Sequence, residues 1–259
     1  MNRLVYITGA SSGIGQALAL QYYREGWNLA LVARRVEDLS AWAESSQALA
    51  PSRWRVYRAD VSDIEAIAAT GRRCIAEQGL PDVVIANAGI SIGMDTAIFE
   101  DLAVMQRLYA TNNIGLAATF HPFVAPMRER RHGTLVGIAS VAGIRGLPGH
   151  GAYCSSKAAV FSYCESLRGE CRPDGVKVVT IAPGYVDTPL TRENRYSMPF
   201  LMQPDDFARK AYEAIEAGAR VRFIPWQMGV VARAMRLLPG AVFDRLLAGR
   251  PRKHRQGEH

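Results

Sequence analysis

Seven short apolar runs, separated by stretches of helical spacing, leave this chain few architectures. They read RLVYI, NLALVA, RWRVYRA, DVVIA, GTLVGIA, VKVVTIA and RVRFIP. A strand apolar on both faces, such as DVVIA or KVVTIA, needs helices on either side, which is the setting of a parallel sheet. Strand and helix in repetition therefore predict an α/β fold, a doubly wound parallel sheet with helices on both faces. Gly26, Gly79, Gly133 and Gly175 each stand just before a strand, where a helix end calls for a residue that accepts positive φ. From Pro225 the rhythm stops. The remainder reads as two short amphipathic helices broken at Pro239-Gly240, then a polar tail, so the expected organisation is a body over residues 1–224 and a helical appendage over 225–259 belonging to the same domain.

A chain of 259 residues suits one such domain. Apolar residues at 49% and charged residues at 21% fit an ordinary globular protein rather than a disordered one. No secretory leader is legible and no run of about 18 uninterrupted apolar residues occurs, which predicts a cytoplasmic, non-spanning protein. Cys74, Cys154, Cys164 and Cys171 form no CxxC pair, so reduced thiols are expected. His121 and His150 lack ligand spacing, and no metal site is predicted. The net charge of +7 is concentrated: between Gly229 and Arg255 stand Arg233, Arg236, Arg245, Arg250, Arg252, Lys253 and Arg255 against Asp244 alone. The rest of the chain is close to neutral. A basic tail on a neutral body, without a nucleic-acid-binding motif, does not predict a nucleic-acid partner.

TGASSGIG, Thr8 to Gly15, lies between the first strand and a helical segment. A helix N-terminus presents unpaired N–H groups, and glycines let backbone approach a diphosphate closely. A structural tight turn is the alternative. Two further motifs accompany it, Asn87-Ala88-Gly89 after the fourth strand and Tyr153-Cys154-Ser155-Ser156-Lys157 beyond the fifth. In this order and spacing they resemble the short-chain dehydrogenase/reductase family, over roughly Arg3 to Leu190 and more weakly to Phe223. The resemblance implies a Rossmann-like fold and a catalytic set of Asn112, Ser140, Tyr153 and Lys157. Tyr153 would be the proton donor, Lys157 the ammonium favouring its phenolate, Ser140 a hydrogen-bond partner of the substrate oxygen, and Asn112 the holder of a helix kink and a proton relay. The neighbouring Asn113 competes for that last role, and spacing to Gly115 favours Asn112.

The same resemblance assigns cofactor contacts to Gly9, Ser11, Ser12, Gly13, Ile14 and Gly15, to Asn87, Ala88 and Gly89, to Tyr153 and Lys157, to Asp60 and Val61 at the adenine, and to Pro183, Gly184, Val186 and Thr188. The second strand ends LVARR, with Ala33 where an NAD-binding carboxylate would stand. Arg34 and Arg35 follow, and guanidinium groups suit a 2′-phosphate, so NADP(H) is expected over NAD. A solvated arginine pair is the alternative.

These features predict an NADPH-dependent reductase acting on a small-molecule ketone or aldehyde. A 3-oxoacyl reductase and a non-catalytic NADP(H)-binding regulatory protein are the alternatives. GISIGM, GIRGLPG and a lid RYSMPFLMQP, with Met198, Phe200, Leu201 and Met202, are expected to give apolar pocket walls. Arg145 could grip an anionic substrate group or stand on the surface. A homodimer is expected from the resemblance, through helices near Gly151 to Arg172 and Phe99 to Met127. The C-terminal helices are expected either to fold back and roof the pocket or to make peripheral membrane contact.

Overall fold

The computed structural model describes residues 3–45, 50–192, 194, 197–249, 252–253 and 255. Arg195 and Tyr196 of the expected lid, and Arg250 of the basic tail, lie outside them. The chain runs β1 (Leu4–Thr8), α1 (Gly13–Arg24), β2 (Asn28–Ala33), α2 (Val36–Ser45), β3 (Trp54–Arg58), α3 (Ile64–Gln78), β4 (Val83–Ala86), α4 (Asp101–Tyr109) and α5 (Gly115–Arg130). It continues through β5 (Thr134–Ile138), α6 (Gly151–Cys171), β6 (Lys177–Pro183), α7 (Pro189–Arg192), α8 (Pro204–Glu216), β7 (Val221–Ile224), α9 (Trp226–Leu237) and α10 (Gly240–Leu247).

Among the described residues, seven strands form one sheet in the order β3-β2-β1-β4-β5-β6-β7, every pairing parallel. This is the doubly wound sheet expected from the apolar runs, and the Rossmann-like architecture that the resemblance implies. Alternation along each strand builds two cores. Val5 and Ile7 of β1 pack with Leu18 and Tyr22 of α1, Leu39 of α2 and Phe207 of α8. Leu4 and Tyr6 face the opposite layer, with Ile67 of α3, Phe120 and Phe123 of α5 and Val160 of α6. Burying each such side chain fully is worth about 1.5–3 kcal/mol, which is why both strand faces must be apolar. The four punctuating glycines all take positive φ.

Strand order runs outward from β1 in both directions, so the crevice of a doubly wound sheet opens between β1 and β4 at the carboxyl edge. Two local departures shape that edge. Between α4 and α5, Ala110–Ile114 forms a π-helical turn that interrupts the single helix expected over Phe99 to Met127. The second is the C-terminal return.

α9 packs on β7 and on the short turn Val141–Gly143. Arg145, considered above as a substrate grip, instead fastens this appendage. Its Nη1 donates to the Met235 and Leu238 carbonyls, and its guanidinium lies 3.7 Å from the Phe243 ring centroid. Arg236 donates back to the Ile144 carbonyl. Further along, the tail reaches the segment between β4 and α4. Arg255 pairs in parallel with Gly93 and forks onto Asp101, Nε to Oδ2 at 2.6 Å and Nη2 to Oδ1 at 3.1 Å. Asp101, at the start of α4, is only 4% exposed and also accepts the Asp95 N–H at 2.7 Å. These hydrogen bonds, Arg255's first, hold the Asp101 carboxyl below the usual carboxylate range. The clasp is therefore present above the ordinary carboxylate pKa and lost as pH falls through the lowered value. Arg255→Ala, or acidification, is expected to lower the amide protection factors of residues 94–101, taken against the intrinsic exchange rate at each pH, while the sheet keeps its protection. Unchanged protection there would mean that the clasp does not order this loop.

Candidate active site

The turn after β1 is built for close approach. Gly9 and Gly13 take φ of +66° and +55°, which side chains with a Cβ rarely adopt. A Cβ on Gly15 would meet the Gly9 carbonyl oxygen at 2.2 Å, so α1 can start where it does only with glycine there. Asn87 braces the turn from β4: its Nδ2 donates to the Thr8 and Gly9 carbonyls at 3.0 and 3.2 Å, while Thr8 Oγ1 accepts the Asn87 and Ala88 N–H groups. Ser12 precedes α1 in extended conformation without a side-chain cap, so the first-turn N–H groups remain available for an anion.

This turn floors a cleft of about 910 Å³. Gly9, Ser11, Ser12, Gly13 and Ile14 line it, as do Arg34, Arg35, Asp60, Val61, Asn87, Ala88 and Gly89. Ser140, Tyr153, Lys157, Pro183, Gly184, Val186 and Thr188 complete the sequence-expected set. Two expected residues stand behind the wall rather than on it. Gly15 is buried against Gly9, and Asn112 is buried at the π-turn. Residues that sequence reasoning missed, including Ser62, Arg107, Thr111 and Thr191, sit beside the motifs or one helical turn away. Arg34 lies 3.5 Å from Asp60 and is well exposed, and Arg35 pairs with Asp38 at 2.6 Å. Exposed pairs of this kind contribute little, so both guanidinium groups can turn to a stronger anion.

Ser140, Tyr153 and Lys157 converge where the cleft narrows. The Ser140 hydroxyl caps the 3₁₀ turn after β5 by accepting the Ala142 N–H at 3.2 Å, and it lines both cavities beside Tyr153. Lys157, one turn along α6, donates to the Ile138 carbonyl at 2.9 Å, with its Nζ 5.9 Å from the Tyr153 ring centroid. Asn112 Oδ1 accepts the Ile90 N–H at 2.9 Å, and its Nδ2 donates to the Ile90 carbonyl and Ser156 Oγ at 3.0 Å each. Asn113 turns aside to the Ser156 carbonyl. A Cβ on Gly89 would contact both Asn112 Oδ1 (3.2 Å) and Lys157 Nζ (3.3 Å), which sets Asn112 rather than Asn113 beside the lysine.

Electrostatics here differ from the simple expectation of a lysine lowering its tyrosine neighbour. Burial pushes the Tyr153 phenol above its ordinary value, opposed by the Ser140 hydrogen bond. Burial also lowers the Lys157 ammonium to about 8. At neutral pH the pair is a neutral phenol beside a largely protonated amine.

A smaller cavity of about 130 Å³ adjoins, with Ser140 and Tyr153 at its floor. Its apolar wall is α9, through Met228, Ala232 and Met235, together with Val141, Leu147 and Leu190. The expected lid does not supply it: Met198, Phe200, Leu201 and Met202 line neither cavity, and Phe200 and Leu201 face outward. Met202 instead pairs with Val186 and packs on the core. The polar end comprises His150, Tyr185, Asn194 and Lys253. Lys253 is buried, donating to the Leu190 carbonyl at 3.1 Å and Asn194 Oδ1 at 2.7 Å. No signal in the sequence tied this tail lysine to a pocket.

Comparison with known proteins agrees with this geometry. A sequence model of the short chain dehydrogenase family matches residues 3–198. An uncharacterized oxidoreductase of Myxococcus xanthus (strain DK1622) is 38% identical over 242 residues, covering 93% of this chain and 95% of that one. A short-chain dehydrogenase from Streptomyces avermitilis superposes with a TM-score of 0.80 at 25% identity, over 90% of this chain and 92% of its own. An alcohol dehydrogenase from the archaeon Thermococcus sibiricus, complexed with 5-hydroxy-NADP, does so at 0.74 and 27%, over 86% and 95%. Matched by the family over most of its length and sharing its parallel sheet, the chain belongs to the short-chain dehydrogenase/reductases and is an oxidoreductase.

Proposed function

We propose that this protein is an NADPH-dependent carbonyl reductase. The observation that carries the reading is the convergence of Ser140, Tyr153 and Lys157 at the junction of a dinucleotide-sized cleft and a small, mainly apolar cavity.

The cleft fits NADP(H) by its donors and shape. The glycine turn leaves space that a Cβ would fill, and the N-terminus of α1 offers N–H groups to a diphosphate. Arg34 and Arg35 stand at the end of β2, where Ala33 replaces a carboxylate, and would hold the 2′-phosphate. Thr188 touches the turn from the far side, since a Cβ on Gly13 would lie 3.0 Å from it. When bound, the cofactor supplies the hydride.

The chain's own residues do the remainder. A carbonyl oxygen entering the smaller cavity meets the Ser140 and Tyr153 hydroxyls. Tyr153, kept protonated by burial, gives its proton to that oxygen as negative charge develops. Lys157, fixed by the Ile138 carbonyl, stabilises the phenolate left behind. Asn112 positions the strand-end backbone at Ile90 and, through Ser156, the helix carrying both residues. The bound carbonyl compound is compact, with an apolar body against Met228, Ala232 and Met235.

Oxidation of NADPH with a panel of ketones and aldehydes tests the reading directly, and no turnover with any of them would favour a regulatory role. Tyr153→Phe is expected to lower turnover at least about 10²-fold, with NADPH affinity kept. Retained turnover would move the proton donor elsewhere. Arg34→Ala is expected to weaken NADPH about tenfold to a hundredfold and leave NADH nearly unchanged, and a wild-type preference for NADH would overturn the assignment. Because the Lys157 ammonium is lost as pH rises through about 8, reduction should hold near neutrality and fall above that pH. A rate still rising with pH beyond it would exclude this role.

A further inference from the structure

We propose that α9 and α10 form a docking face for an anionic lipid surface. α9 is apolar on two opposite sides. One side gives Met228, Ala232 and Met235 to the smaller cavity, with Gly229 packed against Phe223. The other carries Trp226, Val230, Ala234 and Leu237, a stripe at helical spacing that faces away from the body. Trp226 is 67% exposed and Leu237 85%. α10 repeats the arrangement: Phe243 is buried, while Val242 and Leu246, one turn apart, are exposed. The helices do fold back on the body, but this covers one apolar side of each and leaves the other exposed. Helices apolar all round are ordinarily covered on both sides, and contiguous exposed apolar surface marks an interaction site.

Charge selects the cover. Arg233 and Arg236 flank the stripe on α9, and Arg245 lies on α10, all three exposed. Arg233 lies over the Phe223 ring and Arg236 donates to the Ile144 carbonyl, neutral partners that leave their charge in place. Within residues 229–255 Asp244 is the single acidic residue. A second copy presenting the same face would bring like charges together, whereas anionic headgroups are complementary. The cations that serve the contact are those of the helices. Lys253 and Arg255 of the tail are engaged inside the body. Trp226 opens α9 with an amphipathic ring of the kind that settles at headgroup level. Among the described residues no helix is long and apolar enough to cross a membrane, so the contact is peripheral. A corollary rests on the reductase reading: the docked helix is also the cavity wall, which brings the site to carbonyl compounds dissolved in lipid.

Flotation of the full chain with vesicles of phosphatidylcholine, alone or mixed with phosphatidylglycerol, tests the proposal by binding. Binding to the mixed vesicles at low salt, weakened by added salt and by omitting the anionic lipid, is expected. Leu237→Glu combined with Leu246→Glu should lower partitioning about tenfold or more, with lipid-free NADPH oxidation unchanged. Brominated phospholipid should quench tryptophan fluorescence in the wild type, and Trp226→Phe should remove that quenching while flotation persists. Absence of flotation at low salt, or equal flotation of the double variant, overturns the proposal. So does a wild type that ignores vesicles but loses an oligomeric contact on the double substitution, which would give the face to a second copy. Failure of the reductase reading would leave every vesicle result as stated.

Discussion

The approach of α1 to the end of β1 governs the rest of the site. Gly15 lies against the Gly9 carbonyl so tightly that no side chain fits between them, and Asn87 ties the same turn to β4 through two donated hydrogen bonds. This fixes the helix N-terminus at the point where strand order reverses. The crevice opens there, and every strand to the β5 side delivers its carboxyl end, and the loop after it, to the same edge. A parallel sheet cannot do otherwise, because each crossover returns the chain to the opposite edge before the next strand begins.

Burial then sets the chemistry of the residues collected at that edge. Lys157 is a buried cation held by a neutral carbonyl, and losing water pulls its ammonium toward neutrality. The same loss keeps the Tyr153 proton in place. An acid that stays protonated beside an amine still largely charged is suited to giving a proton to a developing alkoxide. The π-turn serves this arrangement, since the extra residue in the helix directs Asn112 inward to Ile90 and Ser156.

The C-terminal return completes the smaller cavity and distinguishes this chain from the bare fold. Arg145 and Arg236 stitch α9 to a turn ninety or more positions earlier in the chain, which makes that helix a wall of the cavity, and the Arg255–Asp101 clasp ties the tail to α4. That helix meets solvent with an apolar face on its other side, an energetic imbalance that a lipid surface would relieve.

The sheet, the crossovers and most of the cleft are legible in the local pattern of residues. Apolar runs encode strands buried on both faces, and Gly9, Gly13, Tyr153 and Lys157 act through spacing within one turn or one helix, so local order carries their geometry. The tertiary structure alone decided what depends on distant segments meeting. Lys253 beside Asn194, Arg145 on the carbonyls of α9, and the outward turn of Phe200 and Leu201 from a lid that forms no cavity wall have no local periodicity to announce them. The sequence likewise showed that α9 was amphipathic but not which face the body would take. An apolar stripe specifies that something must cover it, whereas the partner is chosen by where the rest of the chain comes to lie.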